Sequence, residues 1–278
     1  MAEHEPIGHR FMDLEVPEYA YMFGFLQADG HLYQGAGRKG RLSVELNFRD
    51  IDLLYRFKQL TPYNSSVTER TRSTNFTEDA HSAVWTLCSL DARTLINTLG
   101  VPYGRKSESI APPHGKEFSQ RDYLRGIIDA DGSIGYTSQG LPFVSLTTSS
   151  TAVGSFLSGY ACRLVGAERT LKRNARDQVY NIMYTKEAAQ ALAADLYYPG
   201  CLALGRKQVK ADSLRSWIRP GHMRVAPGRW PWTPEEDQAL LQINDAAVAA
   251  EQLGRSKQSC YMRLWRLRTG RVPTPTGK

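Results

Sequence analysis

The chain has no C-x-x-C pair, no H-x-x-x-H spacing and no apolar run near the roughly 20 residues a bilayer needs, and each absence removes a class of function. Its four cysteines, Cys88, Cys162, Cys201 and Cys260, are scattered. That argues against a structural zinc and a disulfide frame, and predicts reduced core thiols in an intracellular protein. Of the six histidines, only His31 stands beside a motif that could meet a phosphate, and a plain surface role is the favoured explanation of it. The opening MAEHEPIGHR is polar and acidic, unlike a signal peptide, and no membrane partner is expected.

What the chain does have is length, positive charge and internal similarity. Its 278 residues, 41% hydrophobic and 23% charged, suffice for a well-buried core and more than one domain. The formal net charge of +7 points to a polyanionic partner. Residues 217–278 carry ten Lys and Arg against five Asp and Glu, so most of that excess sits in the last fifth of the chain.

YMFGFLQADGHLY (Tyr21–Tyr33) and YLRGIIDADGSIGY (Tyr123–Tyr136) place Asp29 and Asp131 102 residues apart. GRKSES and GRKQVK, opening at Gly104 and Gly205, repeat with an offset of 101. Two landmarks with nearly the same offset indicate an internal duplication. Periodicity predicts, for the first copy, a helix over Glu18–Ala28, strands over His31–Tyr33 and Arg41–Phe48, and a helix with Asp50 as its N-cap. Two strands in SVTERTRS and HSAVWTLCSL and the helix DARTLINTL follow. The second copy reads as helix Gln120–Ala130, strands Ser133–Thr137 and Leu141–Thr148, helix Thr151–Val165, strands Glu168–Arg173 and Gln178–Tyr184, and helix Lys186–Tyr197. The fold class is α+β: tandem αββαββα repeats with pseudo-two-fold symmetry, then a small all-α domain. The expected boundaries are an N-terminal tail 1–17, repeats 18–100 and 119–216, linkers 101–118 and 217–229, and a helical domain 230–278.

Both motifs end an apolar helix in aspartate, where the unpaired carbonyls are already negative. Gly24 and Gly126 would let two such helices cross with their backbones in contact, bringing Asp29 and Asp131 together. Two buried carboxylates at two helix ends require a cation, and hard oxygens with room for water and phosphate suit Mg²⁺. A glycine C-cap after each helix is the plainer explanation of one D-G pair; the repetition favours the metal.

LRGIIDADG (Leu124–Gly132) resembles the name motif of the LAGLIDADG homing endonucleases, in their two-repeat single-chain form, at seven of nine positions, departing at Arg125 and Ile127. MFGFLQADG (Met22–Gly30) is a weaker match, with Gln27 at the first acidic position. The resemblance covers about Pro17–Trp217. It implies a metal-dependent nuclease acting on double-stranded DNA as a monomer, with Asp29 and Asp131 as metal ligands and catalytic residues. Lys106 and Lys207 would be the basic catalytic residues, with Arg105 and Arg206 as substitutes. Asn47, Thr147, Gln27 and Asp129 would orient water or support the aspartates. The two sheets would form a saddle on the major groove. In RLSVELNF, Arg41, Ser43, Glu45 and Asn47 alternate with apolar neighbours, the pattern of a sheet with one polar face. Arg70 and Arg72 in the first copy, and Lys172, Arg173 and Arg176 in the second, are further DNA-binding candidates.

RWPWTPEEDQALLQIND opens a helix with Thr233 as N-cap, Pro234 at the first position and acids in the first turn. A short helix over Ala246–Leu253 precedes RSKQSCYMRLWRLR, and from Arg255 to Arg271 there are six Lys and Arg and no acid. This tail resembles a Myb/SANT-like helix-turn-helix, which would offer Arg255, Ser256, Lys257, Gln258 and Arg263 to DNA; a protein-binding bundle is the rival. For the whole chain the expectation is a site-specific homing endonuclease. The alternatives are a non-catalytic DNA-binding transcription regulator on the same scaffold and an intron RNA maturase.

Overall fold

The computed structural model describes residues 10–35, 40–72, 80–115, 117–167, 169–221, 223, 232–269 and 272. The chain divides into two compact units, Met1–Arg219 and Pro220–Lys278. The first is organised by two helices, α1 (Pro17–Ala28) and α4 (Gln120–Asp131). Tyr19 through Gln27 of α1 and Asp122 through Asp129 of α4 are all buried, the condition of helices enclosed on every side. Where they cross, a Cβ on Gly24 would stand 2.3 Å from the carbonyl oxygen of Tyr123, and one on Gly126 would stand 2.1 Å from that of Tyr21. Glycine is therefore obligatory at both positions for steric reasons. Two hydrogen bonds lock the crossing: Tyr21 Oη donates to Asp129 Oδ2 at 2.7 Å, and Tyr123 Oη donates to Gln27 Oε1 at 2.7 Å.

Each of these helices leads into an antiparallel sheet, giving a mixed α/β unit. After α1 come β1 (His31–Tyr33), β2 (Arg41–Asn47), a 3-10 turn (Phe48–Asp50), α2 (Ile51–Leu60), β3 (Ser65–Arg72), β4 (Ala80–Leu87) and α3 (Leu90–Leu99), with strand order β1-β2-β4-β3. After α4 come β5 (Gly132–Tyr136), β6 (Pro142–Thr148), α5 (Thr151–Val165), β7 (Tyr180–Thr185), α6 (Lys186–Leu196) and α7 (Gly205–Leu214), with strand order β5-β6-β7. Alternation decides the faces. Leu42, Val44, Ala83, Trp85 and Leu87 are buried in the first sheet, and Ile134, Val144, Leu146, Ile182 and Tyr184 in the second. Ser89 caps α3 and Ser150 caps α5 through their hydroxyls.

Several expectations need correction. Glu168–Arg173 is not a strand: Glu168 lies outside the described residues, and the rest contributes one isolated bridge, Arg173↔Tyr180. The Arg173 guanidinium donates to Gln178 O at 2.6 Å and Ser149 O at 2.9 Å and lies over the Tyr180 ring, tying off the hairpin before a ladder develops. Helix α7 was not anticipated, because it starts at Gly205 without a side-chain cap and so lacks the usual start signal. Asp50 stands at the N-cap of α2 but makes no capping bond. The four cysteines are free, yet only Cys260 is buried; Cys88 is exposed.

The second unit contains α8 (Pro234–Ile243), α9 (Ala246–Leu253) and α10 (Lys257–Arg268) around Leu240, Ala249, Cys260, Leu264 and Leu267. Thr233 and Glu236 form a capping box at α8, Asp245 caps α9 and Ser256 caps α10, so each start is fixed locally. Among the described residues no helix is long and apolar enough to cross a membrane.

The crossing makes a direct prediction. Gly126→Ala should lower unfolding free energy by about 3 kcal/mol in denaturant titration, because the methyl group meets backbone that cannot yield. Gly159→Ala in α5, whose nearest neighbour would be an arginine side-chain atom at 3.6 Å, should instead raise it by about 0.5 kcal/mol. Equal effects would show that the crossing is not under close contact.

Candidate functional site

Asp29 is the C-cap of α1 and Asp131 is the last residue of α4, so the crossing delivers both carboxylates to adjacent helix ends. The positive charge those ends need comes, among the described residues, from two lysines. Lys106 Nζ donates to Leu26 O at 2.8 Å and Gln27 O at 2.7 Å. Lys207 Nζ donates to Ile128 O at 2.6 Å, Asp129 O at 2.7 Å and Gly132 O at 2.8 Å. Each ammonium thus adds a donor at carbonyls of the last turn, of which Leu26 O and Ile128 O also accept backbone N–H groups, and offsets the dipole.

Two carboxylates and two ammonium groups form one electrostatic cluster. Burial raises the pKa of Asp29, against the pull of Lys106 and Lys207. Burial and the charge of Asp29 push Asp131 up to about 6, again opposed by the two lysines. Burial lowers Lys106 to about 8, although Asp29 and Asp131 favour its charged form. Lys207 is likewise brought down to about 8 by burial. The lysines do not fully compensate the acids, and a further cation would favour ionisation of both.

The donor set fits a hard divalent ion. Two carboxylates offer oxygen only, and among the described residues no third His, Cys, Asp or Glu joins them into a closed cage. Mg²⁺ commonly takes one or two protein carboxylates and completes its octahedron with water and phosphate oxygens.

The residues expected around the aspartates are tied into the scaffold by hydrogen bonds. Asp129 is buried and accepts from Tyr21, from Tyr197 Oη at 2.6 Å and from Leu204 N at 2.7 Å, so it joins α1, α4 and the connection between α6 and α7. Burial raises its pKa, while the Tyr197, Leu204 and Tyr21 hydrogen bonds and Lys207 oppose the shift. Gln27 is also fully engaged: Nε2 donates to Gly100 O at 2.8 Å and Ala111 O at 2.9 Å while Oε1 accepts from Tyr123. Asn47 accepts from Arg49 N, opening the 3-10 turn, and Thr147 donates to Asn181 Oδ1 at 3.0 Å. Counting back from His31↔Ser43 puts Glu45 level with Asp29, and counting back from Gly132↔Leu146 puts Thr147 level with Asp131. Glu45, not Asn47, is therefore the partner position of Thr147.

On the outer face of the first sheet Arg41 and Glu45 are exposed and Ser43 is half-buried; Glu45 accepts from Ser82 at 2.7 Å. Arg70 is exposed on β3, whereas the side chain of Arg72 lies outside the described residues. The second sheet shows Ser145, Thr147, Asn181 and Met183 on the corresponding face, without a charge. Lys172 and Arg176 are exposed off the sheet, and Arg176 pairs with Asp177 at 3.0 Å; Arg173 is consumed by its hairpin.

In the second unit, two of the five expected DNA-binding residues form ion pairs with first-turn acids of α8. Arg255 donates to Glu236 at 2.8 and 2.6 Å and Arg263 to Asp237 at 2.7 and 2.5 Å, and both guanidinium groups lie over the Trp232 ring. Ser256 serves as the α10 cap, while Lys257 and Gln258 are exposed. Sequence reasoning missed Trp232, Tyr21, Tyr123 and Tyr197. The two tyrosines of the crossing share the 102-residue offset of the aspartates and were open to discovery by it.

Residues 119–196 match the family model of the LAGLIDADG-like domain. No curated protein matches the sequence. Among solved structures, the chain is similar to the homing endonuclease I-WcaI bound to its DNA recognition sequence, at 13% identity over 71% of this chain and 86% of that one, with a TM-score of 0.47. Mesophilic variants of the homing endonuclease I-DmoI match at 12% identity over 70% and 96% of the respective chains, with a TM-score of 0.48. Full-length DUF199/WhiA from Thermatoga maritima matches at 12% identity over 94% and 91%, with a TM-score of 0.42.

The cluster predicts a trade between stability and charge. Asp131 holds its proton more tightly in the folded than in the unfolded chain. Its ionisation therefore works against folding, an effect absent below about pH 4 and complete once pH has risen past about 6. Asp131→Asn, a mimic of the neutral acid, should stabilise the metal-free protein by about 2 kcal/mol near pH 7.5, with the gain vanishing towards pH 4. Urea unfolding in chelator across that range measures it; a destabilised variant near pH 7.5 would contradict the electrostatic account.

Proposed function

We propose that the protein is a site-specific, Mg²⁺-dependent endonuclease that hydrolyses both strands of a DNA duplex, as a monomer with internal pseudo-two-fold symmetry. The observation that carries this reading is the pairing of Asp29 and Asp131 at two crossing helix ends, beside Lys106 and Lys207, with no further ligand among the described residues closing the site.

Asp29 and Asp131 would hold the metal, which when bound would lower the pKa of water and neutralise charge on the phosphate. Hydrolysis adds water at phosphorus and breaks the bond to the leaving ester oxygen, which takes up a proton. Lys106 and Lys207 keep the two aspartates in register by gripping the preceding helix turns and add positive potential toward an approaching phosphate. The outer faces of the two sheets, with Arg41 and Arg70 on the first, would hold the duplex. Exposed Lys257 and Gln258 on α10 would add DNA contacts from the second unit.

One observation favours a second reading, a DNA-binding regulator that does not cut. Both lysine ammonium groups already have two or three carbonyl acceptors, as a purely structural cap would. Incubation of the protein with its own coding locus, the insertion removed, in Mg²⁺ separates the two: cleavage supports the nuclease, and retained binding without cleavage supports the regulator.

Asp29→Asn and Asp131→Asn should each abolish double-strand cleavage while target affinity, measured by gel shift, stays within about threefold. Full activity in either variant would remove that aspartate from the chemistry. Truncation after Arg219, where the first unit ends, should leave a nuclease that cuts but whose log–log salt slope of binding falls by about 0.9 for each phosphate that the second unit had neutralised. An unchanged slope would give α10 a protein partner instead.

A further inference from the structure

The two lysines are each preceded by an arginine, Arg105 and Arg206, and these matched cations sit in unequal surroundings. Arg206 donates Nε to Asp50 Oδ1 at 3.2 Å and Oδ2 at 3.0 Å. Its side chain is 39% exposed and that of Asp50 only 6%, so the carboxylate depends on this partner, with Arg49 Nε more distant at 3.9 Å. Arg105 is exposed and has no hydrogen bond or ion pair among the described residues.

The cause is traceable to one position. Asp50 is the N-cap residue of α2, and the matching N-cap of α5 is Ser150. Ser150 is neutral, accepts from Val153 N and donates to Ile110 O at 2.6 Å, so it offers no carboxylate to Arg105. Asp50, by contrast, makes no capping bond and reaches Arg206 in the other half of the unit.

We propose that Asp50 is an internal competitor of the DNA backbone: it withholds Arg206 from phosphate, so that of the two matched arginines only Arg105 makes a phosphate contact. This rests on the DNA-binding reading above and adds to it a built-in inequality between the two halves. A phosphate that displaced Asp50 from the Nε edge of Arg206 would leave a buried carboxylate without its main partner, which is unfavourable, and one that met only the Nη groups would face a cation already paired with an anion. Arg105 gives up nothing comparable when it meets a phosphate.

The salt dependence of binding counts such contacts without requiring the target sequence or any cleavage. The probe is a mixed-sequence duplex of about 30 base pairs, bound by the full chain over a salt series. Arg105→Ala should lower the log–log slope by about 0.9, and Arg206→Ala should leave it unchanged. Asp50→Ser, which copies the residue at the matching cap, should raise the slope by about 0.9, and adding Arg206→Ala to it should restore the wild-type value. The slope does not depend on what fraction of a preparation is folded, so modest destabilisation does not obscure the result. Equal decreases for the two arginine variants, or no rise with Asp50→Ser, would overturn the proposal while leaving DNA binding intact. Absence of salt-dependent binding by the wild-type chain would overturn both.

Discussion

The contact of two helix backbones at Gly24 and Gly126 is the constraint from which the rest of the first unit follows. It buries both helices on all sides, so that their polar side chains must find partners inside, and it brings Tyr21 within reach of Asp129 and Tyr123 within reach of Gln27. Those bonds fix the axial register of the crossing, and the register fixes where the helices end. Asp29 and Asp131 are neighbours because of the packing about a turn and a half earlier, not because anything draws two carboxylates together.

The helix ends then pose an electrostatic problem with a partial solution. Lys106 and Lys207 reach across 78 to 80 residues of sequence to cap the carbonyls of the last turns. Their charge offsets the dipoles more than it offsets the carboxylates, whose pKa values remain raised by burial. A cluster left short of positive charge in the free protein is suited to binding a cation, and its cost in stability is spread over the large core to which α1 and α4 belong. The same logic, in miniature, governs the second unit, where Trp232 lies beneath two arginines that are each held by an acid in the first turn of α8.

Much of this was legible in the sequence where the signal is local. The glycines of the two motifs, the alternation in RLSVELNF, and the Thr233-Pro234 start of α8 act within a few residues of themselves. What escaped is long-range. Nothing near Asp129 reveals that Tyr197 and Leu204 will fill its lone pairs, and nothing near Arg255 or Arg263 tells that they pair with Glu236 and Asp237. The strand expected over Glu168–Arg173 is reduced to one bridge at Arg173, whose guanidinium donates to the backbone of Ser149 and Gln178. Helix α7, without a side-chain cap, is located by the grip of Lys207 on α4 and not by its own sequence.

The central claim is that Asp29 and Asp131 together hold a divalent cation. The most direct measurement is carbon NMR of protein labelled at the aspartate carboxyl carbons, titrated with Mn²⁺ near neutral pH. The account predicts that Asp29 and Asp131 broaden together at the lowest Mn²⁺ additions, before exposed aspartates such as Asp177, and that excess Mg²⁺ restores both signals. If neither broadens ahead of the exposed carboxylates, or only one of the pair does, the two helix ends do not form a shared metal site.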